Sequence, residues 1–136
     1  MSNKDKIAEK FVTNLIDFIE FTNYLFDEYK KHFSRVPTQS EYQILITVIK
    51  SMDKNTIIKT FIPKNNKNLI YEKIMLKDVD FFLKNQQYMN ILPEEVQKFI
   101  DINKILSIIN DPEHINVFWD YFISFVKLSK KYEELE

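Results

Sequence analysis

The chain has 136 residues, 45% apolar and 29% charged, with 19 basic against 20 acidic side chains and a formal charge of −1. That balance fits one folded domain over residues 1–136: it is too apolar for a disordered chain and too interrupted by charge for a membrane protein, and it offers no overall field for a polyanion. There is no Gly and no Cys, which excludes Gly-rich phosphate loops, the Gly-dependent nucleophile elbow and standard calcium loops, together with disulfides, Cys-ligated zinc and thiol nucleophiles.

One Ala, one Arg and two His stand against 19 Ile, 18 Lys and 12 Asn. Ile, Lys and Asn share AT-rich codons, so the lysine excess reflects genome composition before it reflects function. The N-terminus mixes acids and bases, and the longest uncharged stretch, Asn85 to Pro93, has nine residues. The expectation is a soluble intracellular protein with no signal peptide and no membrane span.

From about Lys4 to His32, Ile7, Phe11, Leu15, Phe18, Thr22, Leu25 and Tyr29 recur at steps of three and four, which predicts a long amphipathic helix. Ser34 to Pro37 breaks it. Thr38 and Glu41 have capping-box spacing and open a second helix through Tyr42, Leu45, Ile46 and Ile49. Asp53 caps a third, through Ile57 and Ile58 to Phe61, and residues 63–68 read as a loop. Leu69 to Leu92 fits neither period cleanly and is predicted as short helices, Asp78 capping the turn before Phe81 and Phe82. Pro93 starts a helix continuing through Val96, Phe99, Ile100, Asn103 and Leu106 to Ile109, and Asp111-Pro112-Glu113 opens a final one to about Tyr132. The predicted fold is all-α, a single compact bundle of about six helices with long N-terminal and C-terminal members.

Two surfaces ask for a partner. The last helix places Ile115, Phe118, Trp119, Phe122, Phe125 and Val126 on one stripe, with Tyr121, Leu128 and Tyr132 widening it beyond half the circumference. It is either the central helix of the bundle or partly an interface. In the first helix Tyr24 falls on the polar face and Phe21 at its edge. Phe21, Tyr24, Trp119 and Tyr121 are therefore the candidate partner-binding residues.

Catalytic chemistry finds little support. Asp111 to His114 is the densest cluster, yet a dimetal site of the ferritin type needs two E-x-x-H motifs and two further Glu, and Asp111 fits an N-cap better. Glu28 and His32 have ligand spacing, but a cation at a helix C-terminus explains His32 equally well. Asp78 and Asp80 point apart on a helix. No catalytic, cofactor-binding or metal residues are assigned, no cofactor is implied, and the chain reads as a non-enzyme. Lys64, Lys67, Lys73, Lys77 and Lys84, interleaved with Tyr71, Phe81 and Phe82, have the composition of a single-strand binder, but Arg, the better phosphate ligand, occurs only at Arg35.

In order and aromatic content the elements resemble uncharacterised small helical proteins of nucleocytoplasmic large DNA viruses, the giant-virus group. The resemblance rests on Phe18-Ile19-Glu20-Phe21, on Lys77-Asp78-Val79-Asp80-Phe81-Phe82, and on Val117-Phe118-Trp119-Asp120-Tyr121 through Leu128. It implies a viral protein of the host cytoplasm or the virion, without a cofactor. The expected function is that of a non-enzymatic interaction or structural protein, a virion component or assembly factor docking on itself or on another protein. The alternatives are a viral regulator that binds a host helix in a groove, and a nucleic-acid-binding accessory factor using the basic middle segment.

Overall fold

The computed structural model describes residues 2–135, all of whose regular structure is helical. Eight α-helices follow one another: α1 (Asn3–Glu28), α2 (Gln39–Ser51), α3 (Lys54–Phe61), α4 (Lys67–Met75), α5 (Val79–Lys84), α6 (Glu94–Phe99), α7 (Ile102–Ile108) and α8 (Pro112–Glu134), with 3-10 turns at Lys30–His32 and Gln86–Met89. Side-chain caps place most of the helix starts. Ser2, Asp53, Asp78, Asp101 and Asp111 each accept a backbone N–H of the following turn. Thr38 and Glu41 form the complete reciprocal capping box, and Arg35 Nη2 holds both Glu41 carboxylate oxygens at 2.9 Å.

The expected six helices become eight at two places. The helix predicted from Pro93 to Ile109 divides because Ile100 is extended, with φ −129° and ψ 112°, and Asp101 caps a new helix through the Lys104 N–H at 3.0 Å. The break lets α6 pack on α2 while α7 packs on α5, which one straight rod would not do. Between Leu69 and Leu92 the expected short helices are α4, α5 and a 3-10 turn, and α4 already starts at Lys67, inside the expected loop. The first helix ends at Glu28, and the predicted extension to His32 is a 3-10 turn.

Helix α4 closes in a Schellman arrangement: Asp78 N–H reaches Lys73 C=O and Lys77 N–H reaches Ile74 C=O, both at 3.0 Å. Lys77 sits in the left-handed region with φ 55°, at the position glycine usually fills. A chain without glycine bears that strain on a Cβ-bearing residue. Lys77→Gly is expected to stabilise the protein by about 0.5–1 kcal/mol, read from its denaturant midpoint; a lower midpoint would show that the lysine is not strained there.

Helices α1 and α8 run antiparallel and carry the core. Phe11 meets Phe125 with ring centroids 5.0 Å apart, Phe18 meets Phe122 at 5.3 Å, and near the other end Tyr24 meets His114 at 5.4 Å. Phe61 of α3 closes on Phe11 and Phe125 at 5.4 and 5.6 Å, and Phe82 of α5 on Trp119 at 6.0 Å. Helix α8 is thus surrounded by α1, α3, α4 and α5, which accounts for its wide apolar arc: Phe118, Trp119, Phe122, Phe125, Val126, Leu128 and Tyr132 are all buried.

Candidate docking surface

Of the four residues the sequence singles out, the structure brings three together. Trp119 is corrected: it is 1% exposed, packed between Phe82 and Phe118, and offers no surface to another molecule. Phe21, Tyr24 and Tyr121 form one strip along the outer seam of α1 and α8. Phe21 stacks on Tyr24 at 6.4 Å and 22°, and lies tilted against Tyr121 at 5.7 Å. Tyr24 is 48% exposed, while Phe21 and Tyr121 are half-buried against the core.

The strip follows from helical spacing on two antiparallel rods. On α1, Asn14, Asp17, Phe21, Tyr24 and Glu28 recur at steps of three and four; on α8, Glu113, Val117, Asp120, Tyr121 and Ser124 share a face. Asn14 Nδ2 donates to Ser124 Oγ at 2.7 Å and joins the two helices. A groove of about 240 Å³ lies there, lined by Asn14, Val117, Asp120, Tyr121 and Ser124, and Val117 is 38% exposed within it.

A polar network anchors the far end. Tyr29 Oη accepts the backbone N–H groups of Asn110 and Asp111 at 3.3 and 3.2 Å. Its hydroxyl also donates towards Asn110 Oδ1 at 3.5 Å and is hydrogen-bonded with His114 Nδ1 at 2.9 Å. His114 Nε2 lies 3.3 Å from Tyr24 Oη, so the imidazole bridges the two phenols. Tyr24 is therefore exposed yet held from two sides, by the Phe21 ring and by His114. A side chain already fixed loses little freedom when a partner covers it. No local signal in the sequence ties His114 or Tyr29 to the strip, because only the packing of α1 on α8 joins residues so far apart in the chain.

The seam is acidic. Residues 11–29 and 111–126 contain seven carboxylates, Asp17, Glu20, Asp27, Glu28, Asp111, Glu113 and Asp120, and no Lys or Arg; the exposed Lys10, Lys30 and Lys127 bound this stretch at its ends. All seven acidic residues are exposed. The ion pairs among the described residues lie elsewhere, joining Arg35 to Glu41, Lys67 to Glu133 and Lys73 to Asp78. Partial burial first, then the charges of Glu28, Asp111 and Glu113, push the Tyr24 phenol above its ordinary range. Tyr121 is raised in the same way, by burial and then by Asp17 and Glu20.

Other candidates are absorbed by structure. Asp111 caps α8 through the Glu113 N–H at 2.9 Å, and among the described residues no three His, Asp or Glu side chains converge as a metal site requires. In the basic middle segment Lys67 pairs with Glu133 at 2.6 Å, and Lys73 pairs with Asp78 and lies over the Phe81 ring. Tyr71 and Phe82 are buried and cannot stack on a base. The outer face of α2 exposes Ile44 and Val48, an apolar patch with no aromatic anchor. Among the described residues no helix is long and apolar enough to cross a membrane. Compared with protein-family models, with curated proteins and with solved structures, the chain finds no match in any of the three.

Proposed function

We propose that the protein is a non-catalytic interaction or structural module that docks on another protein through the α1–α8 seam; the resemblance to proteins of large DNA viruses makes a virion component or assembly factor the context in which it works. The observation that carries the reading is the Phe21–Tyr24–Tyr121 strip, exposed at Tyr24 but fixed in orientation by stacking and by His114. Rigid aromatics with a polar tip, at the edge of an apolar groove, are the side chains that dominate protein interfaces. The groove also favours the related reading of a regulator that seats a helix of its target.

The Phe21→Ser, Tyr24→Ser double variant tests this. Both side chains lie outside the closed core, so helical circular dichroism is expected to persist while association with the binding partner weakens by about tenfold or more. The partner is first captured with the wild-type chain after nuclease treatment. Unchanged association in the double variant would remove the strip from the proposal, and capture of nuclease-sensitive material alone would favour the lysines from Lys64 to Lys84 instead.

A further inference from the structure

The charge around the groove identifies the chemistry of its occupant, given the docking reading above on which this inference rests. We propose that the α1–α8 seam binds a basic amphipathic helix of another protein, its apolar stripe against Val117, Phe21 and Tyr121 and its lysines or arginines along the carboxylate rim. The apolar, aromatic-edged groove is what makes the seam a site; the carboxylates determine what fits it.

Three observations converge. Asp17, Glu20 and Glu28 edge the seam from α1, and Glu113 and Asp120 edge it from α8, with no Lys or Arg on either segment and no ion pair to the described residues. Like charges grouped with no ion pair among the described residues favour a cationic partner and steer it in, although Lys10, Lys30 and Lys127 stand at the ends of the stretch. The exposed Tyr24 ring offers a face to a guanidinium or ammonium group, which aromatic faces attract. The α1 stripe from Asn14 to Glu28 is about 21 Å long at 1.5 Å per residue, enough to seat about four turns of a partner helix. A second copy joined face to face would oppose two sets of these five rim carboxylates, and a nucleic-acid backbone would meet the same like charge on the seam.

The probe is a helical peptide of about 15 residues made of Lys and Leu, with Leu at i, i+3, i+4 and i+7. It is titrated into the full chain beside a version with Glu for every Lys and a scrambled version of the Lys peptide. The Lys peptide is expected to bind saturably and the Glu peptide not at all. Binding should weaken about tenfold in the Asp17→Asn, Glu20→Gln, Asp120→Asn variant, the combined size of three exposed charge pairs. It should also weaken with added salt in the wild-type chain, a readout that needs no variant to fold. Equal binding of the Glu peptide, equal binding of the scrambled peptide, or indifference to salt would overturn the proposed partner chemistry. If Phe21→Ser, Tyr24→Ser still weakens association in that case, the docking reading stands without it. Self-association through Phe21 and Tyr24 with no peptide bound would likewise overturn only the partner chemistry. No binding and no association sensitive to those residues would end both.

Discussion

Phe18→Ala is expected to lower the free energy of unfolding by about 3–5 kcal/mol, the largest loss foreseen for any single substitution considered in this protein. Phe18 is fully buried in the middle of α1 and meets four rings of α8 edge-on: Phe118 at 6.0 Å, Tyr121 at 5.5 Å, Phe122 at 5.3 Å and Phe125 at 6.0 Å. Removing it forfeits the transfer free energy of a phenyl group and leaves a cavity between two long helices, neither of which can bend inward to fill it. Edge-to-face geometry adds to what burial alone supplies. Since small domains hold only about 5–15 kcal/mol in total, the variant should sit near the edge of folding. Denaturant unfolding reads the change, and a loss below about 1.5 kcal/mol would mean that the neighbouring rings collapse into the space. Three residues along the same helix, Phe21→Ser should cost far less, because that side chain is only half-buried.

The second large effect is alkaline. Tyr42 is 4% exposed, its hydroxyl 3.3 Å from Thr22 Oγ1. Burial pushes its phenol up to about 12, against an ordinary value near 10, with the Thr22 hydrogen bond a smaller opposing influence. A folded-state value above the unfolded one means that the folded state binds the proton more tightly. The resulting stability is whole below about pH 10 and is lost as pH rises from 10 towards 12, by about 2–3 kcal/mol for two units of displacement. Tyr71 moves in the same direction, first by burial and then by the charge of Glu133, to which its hydroxyl donates at 3.1 Å. Unfolding measured at about pH 8 and again at about pH 11 should show about half of the Tyr42 loss together with a share from Tyr71, and Tyr42→Phe should remove the Tyr42 part while changing little at pH 8. A Tyr42→Phe variant with the wild-type slope would show that this phenol ionises as freely in the folded chain as in the unfolded one.

Much of the architecture was legible because it rests on local rules. Thr38, Asp53, Asp78 and Asp111 announce their helices through capping chemistry that involves only the next turn. The long helices at both ends follow from apolar spacing sustained over many turns. Where two local signals compete, spacing misleads. Val96, Phe99, Ile100 and Leu106 fit one helix as well as two, and the capping preference of Asp101 wins because the break gives α6 and α7 different neighbours. The site was legible only in part. Tyr24 and Phe21 stand out because they lie off the apolar stripe of their own helix, whereas Trp119 shares its residue type with good interface anchors yet is buried beneath α5.

Local chemistry along the chain sets the all-helical class, the long terminal helices, their caps and the aromatic residues of α1 that face away from its core stripe. These depend on interactions within a few residues of chain, where side-chain type and spacing settle the outcome. The packing of the helices is what makes the wide arc of α8 core, joins Tyr121 to Phe21 and Tyr24, sets His114 between Tyr24 and Tyr29, and gathers carboxylates from two distant segments along one seam. Each of these depends on the antiparallel register of α1 against α8, which is set by how rings more than 80 residues apart interlock and leaves no local signature in the chain.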